Sequence, residues 1–385
     1  MNHLKKIPKA PGLIYTQVDP LQTKTQIVKL LRTQNPNDLR EAHNLFDLIP
    51  KPTIFLYNKL IQAYASRNQP HQCLSLYSQM RRRNCPLNGL SFTFLFPALA
   101  ALPSSPYGKI LHSHFEKSGF GLDMYASTAL VDMYAKLGLL SLARRKFDEM
   151  PERDVPTWNS MITGYSRSGD MVKALEVFNL TPVRNVVTWT AIVSGYSQNG
   201  QYSKALEMFL RMENETGIRP NEVTLACVLS ACANIGALGM GERIGAYARE
   251  NGMLKNIYVI NSLLEMYAKC GKIEVARRLF GEIGKSRNLC SWNSMIMGFS
   301  VHGRSEEALQ LYVQMLQEGM LPDDVTFVGL LLACTHGRMV SKGRELFESM
   351  EREYQIVPKL EHYGCMVDLF GRAGELQEAY NLMKS

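Results

Sequence analysis

The feature that most limits what this chain can fold into is a short pattern that returns along its length. Tyr134-Ala-Lys-Leu-Gly138 is followed by Tyr165-Ser-Arg-Ser-Gly169, Tyr196-Ser-Gln-Asn-Gly200, Tyr267-Ala-Lys-Cys-Gly271, Phe299-Ser-Val-His-Gly303 and Phe370-Gly-Arg-Ala-Gly374. The glycines stand 31, 31, 71, 32 and 71 residues apart, and 71 is one step of 35 plus one of 36. Such a period marks a repeat architecture, in which no unit buries its apolar face alone. Cutting before each Val-x-Thr-Trp-Asn-like start gives units at 54–88, 89–123, 124–154, 155–185, 186–221, 222–256, 257–288, 289–323 and 324–359. A degenerate unit at 23–53 precedes them, a truncated one at 360–385 follows, and 1–22 is left as an N-terminal segment.

The interior of a unit reads as two helices. Trp158, Met161, Ile162 and Tyr165 keep helical spacing, and the glycine supplies the left-handed residue that ends the first helix. On the second helix Ala143 and Phe147, Ala174 and Phe178, Ala205 and Phe209, and Ala276 and Phe280 lie four apart, a small residue beside an aromatic. Gly108, Gly241 and Gly343 take the small position in the units at 89, 222 and 324. The first two of these units have His112 and Gly245 in place of the aromatic, so looser or differently angled packing is expected there. Met80, Met150, Met212, Met315 and Met350 share one repeat position and read as core, with no cofactor role. The expected fold is all-α, an α-solenoid (superhelix) of helix–turn–helix repeats of 31–36 residues with a long concave surface. The last hairpin stops at Ser385 within its second helix, which suggests a chain cut from a longer one.

Composition narrows the function classes. The longest apolar candidate, Phe94 to Pro103, is too short for a spanning helix, so no membrane partner is expected. The net charge of +8, from 43 Lys+Arg against 35 Asp+Glu, favours a polyanionic partner only weakly. Eight cysteines include no C-x-x-C pair, which argues against a disulfide scaffold or a closed zinc site.

Helix–turn–helix repeats of this size occur in tetratricopeptide and pentatricopeptide proteins, which share Tyr-x-x-x-Gly and Ala-x-x-x-Phe. The junctions discriminate: Asp154-Val-Pro-Thr-Trp-Asn159, Asn185-Val-Val-Thr-Trp-Thr190, Asn221-Glu-Val-Thr-Leu-Ala226 and Asp323-Asp-Val-Thr-Phe-Val328. With Asp-Met-Tyr-Ala-Lys at 132–136 and Phe-Asp-Glu-Met-Pro-Glu-Arg-Asp at 147–154, over roughly residues 23–385, the chain resembles the pentatricopeptide repeat family. The closer resemblance is to its plant subclass of mixed standard, long and short motifs. The long motifs would be 89–123, 222–256 and 324–359, the short ones 124–154, 155–185 and 257–288, and the standard ones 54–88, 186–221 and 289–323. The stretch Leu360 to Gly374 looks like the short motif that precedes C-terminal extensions in that subclass, and neither extensions nor deaminase-like domain occur in this sequence.

What the resemblance implies is one RNA base per unit, read by its fifth and last residues. The pairs are Asn58/Asn88, Thr93/Asp123, Thr128/Asp154, Asn159/Asn185, Thr190/Asn221, Ala226/Asn256, Asn261/Asn288, Asn293/Asp323 and Val328/Lys359. An Asp only accepts and suits the imino N–H of G or U, whereas an Asn amide donates and accepts and suits A or C. By family precedent Thr at the fifth place selects purine and Asn pyrimidine. The units at 54, 124, 155, 186, 257 and 289 are then expected to favour pyrimidine, G, pyrimidine, A, pyrimidine and U. The unit at 89 follows the pattern for G. Ala226 and Val328 cannot hydrogen-bond through their side chains, so the units at 222 and 324 are expected to be tolerant. The plainer reading of Asn, Asp and Thr before a helix is capping. Val187, Val223, Tyr258 and Val325, at the second place, would wedge between bases. Lys136, Arg167 and Lys269 share one position at the end of the first helix and are candidates for phosphate contact, with solvated surface charge as the alternative.

No catalytic residue, metal ligand or cofactor is assigned. His114-x-Glu116 matches half of a zinc deaminase pattern, but no C-x-x-C follows to complete a site. The expected function is sequence-specific binding of single-stranded organellar RNA, most concretely site recognition for C-to-U editing with a deaminase or other editing factors in trans, and no small-molecule substrate. The alternatives are an organellar RNA stability or splicing factor and a tetratricopeptide-like peptide-binding adaptor. Met1 to Val18 carries Lys5, Lys6 and Lys9 with no acid before Asp19, acid-poor like a transit peptide but without its usual Arg and Ser. Mitochondrion is the expected location and plastid the alternative.

Overall fold

The structure, a computed structural model, describes residues 20–33, 35–102 and 106–384. The lysine-bearing stretch before Val18 lies outside them. Among the described residues there are helices, turns and no strand. Two compact units are distinguished, one ending at Ser168 and the other beginning at Gly169. The first unit contains α1 (Pro20–Leu30), α2 (Pro36–Asp47), α3 (Ile54–Ser66), α4 (Pro70–Arg82), α5 (Gly89–Ala100), α6 (Pro106–Lys117), α7 (Met124–Lys136), α8 (Leu140–Glu149) and α9 (Val155–Arg167). The second contains α10 (Met171–Leu180), α11 (Val186–Gln198), α12 (Tyr202–Thr216), α13 (Glu222–Ile235), α14 (Leu238–Glu250), α15 (Ile257–Lys269), α16 (Ile273–Ile283), α17 (Leu289–Val301), α18 (Ser305–Gln317), α19 (Asp324–Gly337), α20 (Val340–Arg352), α21 (Leu360–Ala373) and α22 (Leu376–Lys384).

Each unit is a stretch of α-solenoid. Successive first helices stack on one another, α3 on α5, α7 and α9 in the first unit and α11 through α21 in the second. The second helices pack between consecutive first helices, as α12 does against α11 and α13. Gly164 faces Ala135 and Gly298 faces Ala268, so closely that a Cβ on either glycine would come 2.9 Å from the alanine Cβ. Small residues at these points let neighbouring first helices approach.

At Gly138 and Gly271 the Tyr-x-x-x-Gly pattern closes the first helix by a Schellman turn. Gly138 has φ +73°, the Leu139 N–H donates to the Tyr134 carbonyl at 2.9 Å and the Gly138 N–H to that of Ala135 at 3.2 Å. Lys272 repeats this on Tyr267 at 2.8 Å. The pairs Ala143/Phe147, Ala174/Phe178, Ala205/Phe209 and Ala276/Phe280 are all buried, as are the five repeat-position methionines.

Packing at Gly241 is tight rather than loose, where looser or differently angled packing was expected. The Met266 side chain of α15 fills the space above the glycine, and a Cβ there would lie 2.6 Å from its Cε. The thioether of the next first helix thus covers the small position, and Leu263 of that helix reaches Gly245, the place an aromatic holds elsewhere. At Gly108 the same role falls to Met133, while His112 hydrogen-bonds the Tyr134 hydroxyl at 2.8 Å. Gly241→Ala is therefore expected to lower stability by about 1–3 kcal/mol through overpacking. Gly281→Ala, on an open helical surface of the same unit, is expected to raise it by about 0.5–1 kcal/mol. Thermal unfolding of the two variants checks the opposite signs.

Candidate nucleic-acid interface

The last residue of a repeat is the N-cap of the next first helix. Asn88, Asp154, Asn185, Asn221, Asn288 and Asp323 each accept, through Oδ1, the backbone N–H three residues on, at 2.9–3.1 Å. That third residue is Ser91, Thr157, Thr188, Thr224, Ser291 or Thr326, and all six are fully buried. The hydroxyls of Ser91, Thr157, Thr224, Ser291 and Thr326 tie the cap to the fifth residue of the preceding repeat. The Ser291 hydroxyl donates to Asn261 Oδ1 at 2.7 Å while Asn261 Nδ2 donates to Asn288 Oδ1 at 2.9 Å. Ser91 and Asn58 repeat this at Asn88, and Thr326 and Asn293 repeat it at Asp323. Thr128 Oγ1 donates to Asp154 Oδ1 at 3.2 Å, and Thr190 Oγ1 reaches Asn221 through the Thr224 hydroxyl, 2.6 Å away.

The structure thus brings five of the sequence-derived pairs together: Asn58/Asn88, Thr128/Asp154, Thr190/Asn221, Asn261/Asn288 and Asn293/Asp323. Thr93 and Asp123 are not joined. Thr93 donates to the Gly89 carbonyl of its own helix at 2.9 Å, and Asp123 caps Ala126 at 2.9 Å. Asn256 caps Tyr258 at 2.9 Å, and the Lys359 N–H donates to His362 Nδ1 at 2.9 Å. At these three junctions the third residue is Ala126, Val259 or His362, with no hydroxyl to bridge. Asn159 lies in the first compact unit with its Oδ1 buried and unpaired among the described residues, and Asn185 lies in the second.

Sequence reasoning quoted Val-x-Thr at the junctions but missed the role of the Thr. Where both members of a pair lie in one compact unit, a hydroxyl at the third place of the following repeat separates the joined pairs from the unjoined ones. Because the fold consumes Oδ1, the remaining atom is Nδ2 in Asn and Oδ2 in Asp. Among the described residues Nδ2 of Asn88, Asn221 and Asn288 and Oδ2 of Asp154 and Asp323 have no hydrogen-bond partner. An Asn junction therefore offers a donor and an Asp junction an acceptor.

The second residues of the repeats stand in solvent. Val187, Val223, Tyr258 and Val325 are exposed, and so are Phe55, Leu90 and Tyr125, which occupy the same place. Seven of the nine repeats thus present an exposed aliphatic or aromatic face at one place, a surface suited to stacking. Of the three candidate cations only Arg167 is exposed without a carboxylate partner among the described residues. Lys136 pairs with Asp132 and Lys269 with Glu265, both at 2.7 Å and one helical turn back.

Other cations near the junctions are structural. Arg153, Arg184 and Arg287 lie over the rings of Phe147, Phe178 and Phe280 at 4.4–4.8 Å, with Nε donating to the same residues' carbonyls at 2.7–3.1 Å. They close second-helix C-termini and seal the Phe147–Trp158, Phe178–Trp189 and Phe280–Trp292 pairs.

His114 and Glu116 face different partners. His114 Nδ1 lies 3.1 Å from the Tyr77 hydroxyl, and Glu116 accepts from the buried Lys146 ammonium at 2.7 Å. Burial pushes the Glu116 carboxyl up, but Lys146 and His112 outweigh it and hold the group below the usual range. No group of three or more His, Cys, Asp or Glu able to hold a metal ion occurs among the described residues.

Models of the PPR repeat family match residues 52–101, 184–234 and 287–336, and a PPR repeat model matches 125–155, 156–185, 258–287, 325–354 and 361–385. A pentatricopeptide repeat-containing protein of Arabidopsis thaliana is 57% identical over 385 residues, which is 100% of this chain and 74% of that protein. The chain belongs to the pentatricopeptide repeat family. A second Arabidopsis thaliana member, named as chloroplastic/mitochondrial, is 37% identical over 91% of this chain and 50% of its own length. This chain spans roughly half to three quarters of these two relatives. A crystal structure of the pentatricopeptide repeat protein PPR10 in complex with an 18-nt psaJ RNA element superposes with a TM-score of 0.62 at 20% identity, covering 95% of this chain and 60% of that one. PPR10 from maize, in a second structure, gives 0.54 at 17% identity over 94% and 58%. At these identities the match establishes a shared pentatricopeptide solenoid fold.

Two outcomes test the geometry. Asn288→Ala removes a cap and strands buried Asn261, so a loss of about 2–3 kcal/mol is expected, against about 1 kcal/mol for Asp123→Ala, which loses only a cap. Thermal unfolding ranks them. Glu116→Gln leaves the buried Lys146 with only the more distant Glu149 carboxylate, 3.9 Å away, and is expected to cost about 1–3 kcal/mol at neutral pH. Because the folded Glu116 pKa is depressed, the native pair's contribution is full above the ordinary Glu range and is lost as pH falls through its lowered value. The difference in melting temperature between native chain and variant should therefore close on acidification.

Proposed function

We propose that this chain is a sequence-selective single-stranded RNA-binding solenoid acting in organellar RNA metabolism. The observation that carries the reading is the division of labour at each joined junction. One side-chain atom is held by the fold, the other is unpaired, and the exposed second residue stands two positions on. On this reading the nine units from 54 to 359 each meet one base. The joined pairs, together with Asn159/Asn185 and Thr93/Asp123, supply the reading atoms. Arg167 is the strongest of the three cations for phosphate contact, and Lys136 and Lys269 would first have to leave their carboxylates. Relatives named chloroplastic and chloroplastic/mitochondrial support an organelle as the place of action, mitochondrion or plastid. The finer role we propose is site recognition for C-to-U editing, with a deaminase acting in trans, and its support is the subclass-like order of short, standard and long repeats.

Asn221→Asp tests the reading atom. Oδ1 of Asn221 holds the Thr224 N–H and hydroxyl at 2.9 and 2.8 Å, so the substitution keeps the cap and exchanges the free donor for an acceptor. The expected outcome is a shift of the 186–221 unit from A toward G by about 1–3 kcal/mol of discrimination, measured by gel shift on RNAs differing at that base. Uniform weakening of all RNAs would show the junction to be capping alone.

A further inference from the structure

Two repeats carry the same pair of fifth and last residues and hold them differently. The unit at 89 has Thr93 and Asp123, and the unit at 124 has Thr128 and Asp154. Thr128 Oγ1 lies 2.6 Å from the Thr157 hydroxyl and 3.2 Å from Asp154 Oδ1, and the Thr157 N–H donates to that same oxygen at 2.9 Å. After the unit at 89 the place of Thr157 is taken by Ala126, equally buried and without a hydroxyl. There Thr93 turns back on its own helix and donates to the Gly89 carbonyl at 2.9 Å. Asp123 leans over the start of that helix, where a Cβ on Gly89 would lie 2.3 Å from Oδ2. Thr190 stands between the two arrangements. Its Oγ1 lies 2.7 Å from the Val186 carbonyl, the bond that Thr93 makes, and 2.6 Å from the Thr224 hydroxyl, which in turn reaches Asn221 Oδ1 at 2.8 Å.

We infer that the buried third residue of one repeat is a positioning residue that sets how sharply the repeat before it discriminates between bases, Thr157 for the unit at 124 and Thr224 for the unit at 186. The inference rests on the RNA-binding reading and deepens it. Both side chains are fully buried, so each acts through the fifth and last residues of the preceding repeat. At an Asn junction the hydroxyl guards polarity, because an amide whose Oδ1 is released can turn over and exchange its donor for its acceptor. At an Asp junction the two oxygens are chemically equal, and the hydroxyl guards direction instead. The unit at 89 therefore meets its base with the same two side chains as the unit at 124 and selects it less sharply.

The test uses the full chain and RNAs that carry the expected order of bases from the unit at 54 to the unit at 324, with G or A at the place under test. Fluorescence anisotropy gives the affinity ratio for the two bases at each place, and thermal unfolding confirms that each variant is folded. In the native chain the preference for G over A is expected to be about fivefold larger opposite the unit at 124 than opposite the unit at 89, as one net hydrogen bond implies. Thr157→Val, which keeps the branched shape without the hydroxyl, is expected to erase that difference, and Thr157→Ser to preserve it. Thr224→Val is expected to lower the preference for A opposite the unit at 186 by a similar factor and to leave the unit at 124 unchanged. Ile162→Val, a buried change in the same helix as Thr157, costs stability and is expected to leave every ratio as it was. Equal native ratios at the units at 89 and 124 would overturn the inference. So would Thr157→Val or Thr224→Val weakening both RNAs alike, Thr157→Ser losing the preference, or Ile162→Val shifting it as far. A native chain that retains no RNA, or that discriminates at no unit, would overturn the RNA-binding reading beneath it. Discrimination that survives loss of the third-place hydroxyls would overturn their role alone.

Discussion

Most first helices in this chain start where a side-chain oxygen accepts a hydrogen bond from the amide three residues on, and the remaining local geometry follows from that bond. The cap fixes where the helix begins, and hence the phase of every apolar residue along it. The buried Ser or Thr at the third place then reaches back to the fifth residue of the previous repeat. A single buried hydroxyl therefore couples helix initiation to repeat–repeat register. Its removal would strand polar groups at the junction as well as lose a bond, and such groups are costly in an interior of low dielectric.

The same constraint gives the junction its chemical character. An Asn or Asp free in solution could present either end of its side chain. Here the amide of the third residue engages Oδ1 together with either a hydroxyl, as at Asn221, or the side-chain amide of the fifth residue, as at Asn288, so the group left over is the one in which Asn and Asp differ. A one-atom substitution changes donor to acceptor without disturbing the helix start. Recognition of this kind can vary from repeat to repeat at little cost in stability, as a modular surface requires.

Much of this was legible in the sequence, and the parts that were not have physical reasons. The Tyr-x-x-x-Gly pattern could be read because a left-handed residue at the end of a helix strongly favours glycine, and Gly138 and Gly271 take that conformation. The fifth and last residues were visible through family resemblance, and the fold joins five of the nine pairs. The bridging hydroxyls of Thr224, Ser291 and Thr326 went unassigned because a small polar residue in the first turn of a helix looks like any other, and only the neighbouring repeat shows what it touches. Arg153, Arg184 and Arg287 resemble surface charges in sequence, yet their role depends on a ring six or seven residues earlier and on carbonyls left open at a helix end. Lys136 and Lys269 kept their place at the end of the first helix but lie one turn from an acid, a spacing the sequence contains and the reading did not use. Met266 against Gly241 is a long-range fit that no local pattern encodes.

Selection from a fully randomised RNA pool by the intact chain, followed by sequencing of the retained molecules, tests the junction chemistry most directly. With bases taken in chain order from the unit at 124 to the unit at 289, the retained RNAs should be enriched, 5′ to 3′, in G, pyrimidine, A, any base, pyrimidine and U. The tolerant position should fall opposite Ala226. Retention with no positional preference, or a preference indifferent to whether the junction residue is Asn or Asp, would contradict the assignment of the unpaired junction atoms as base-reading groups.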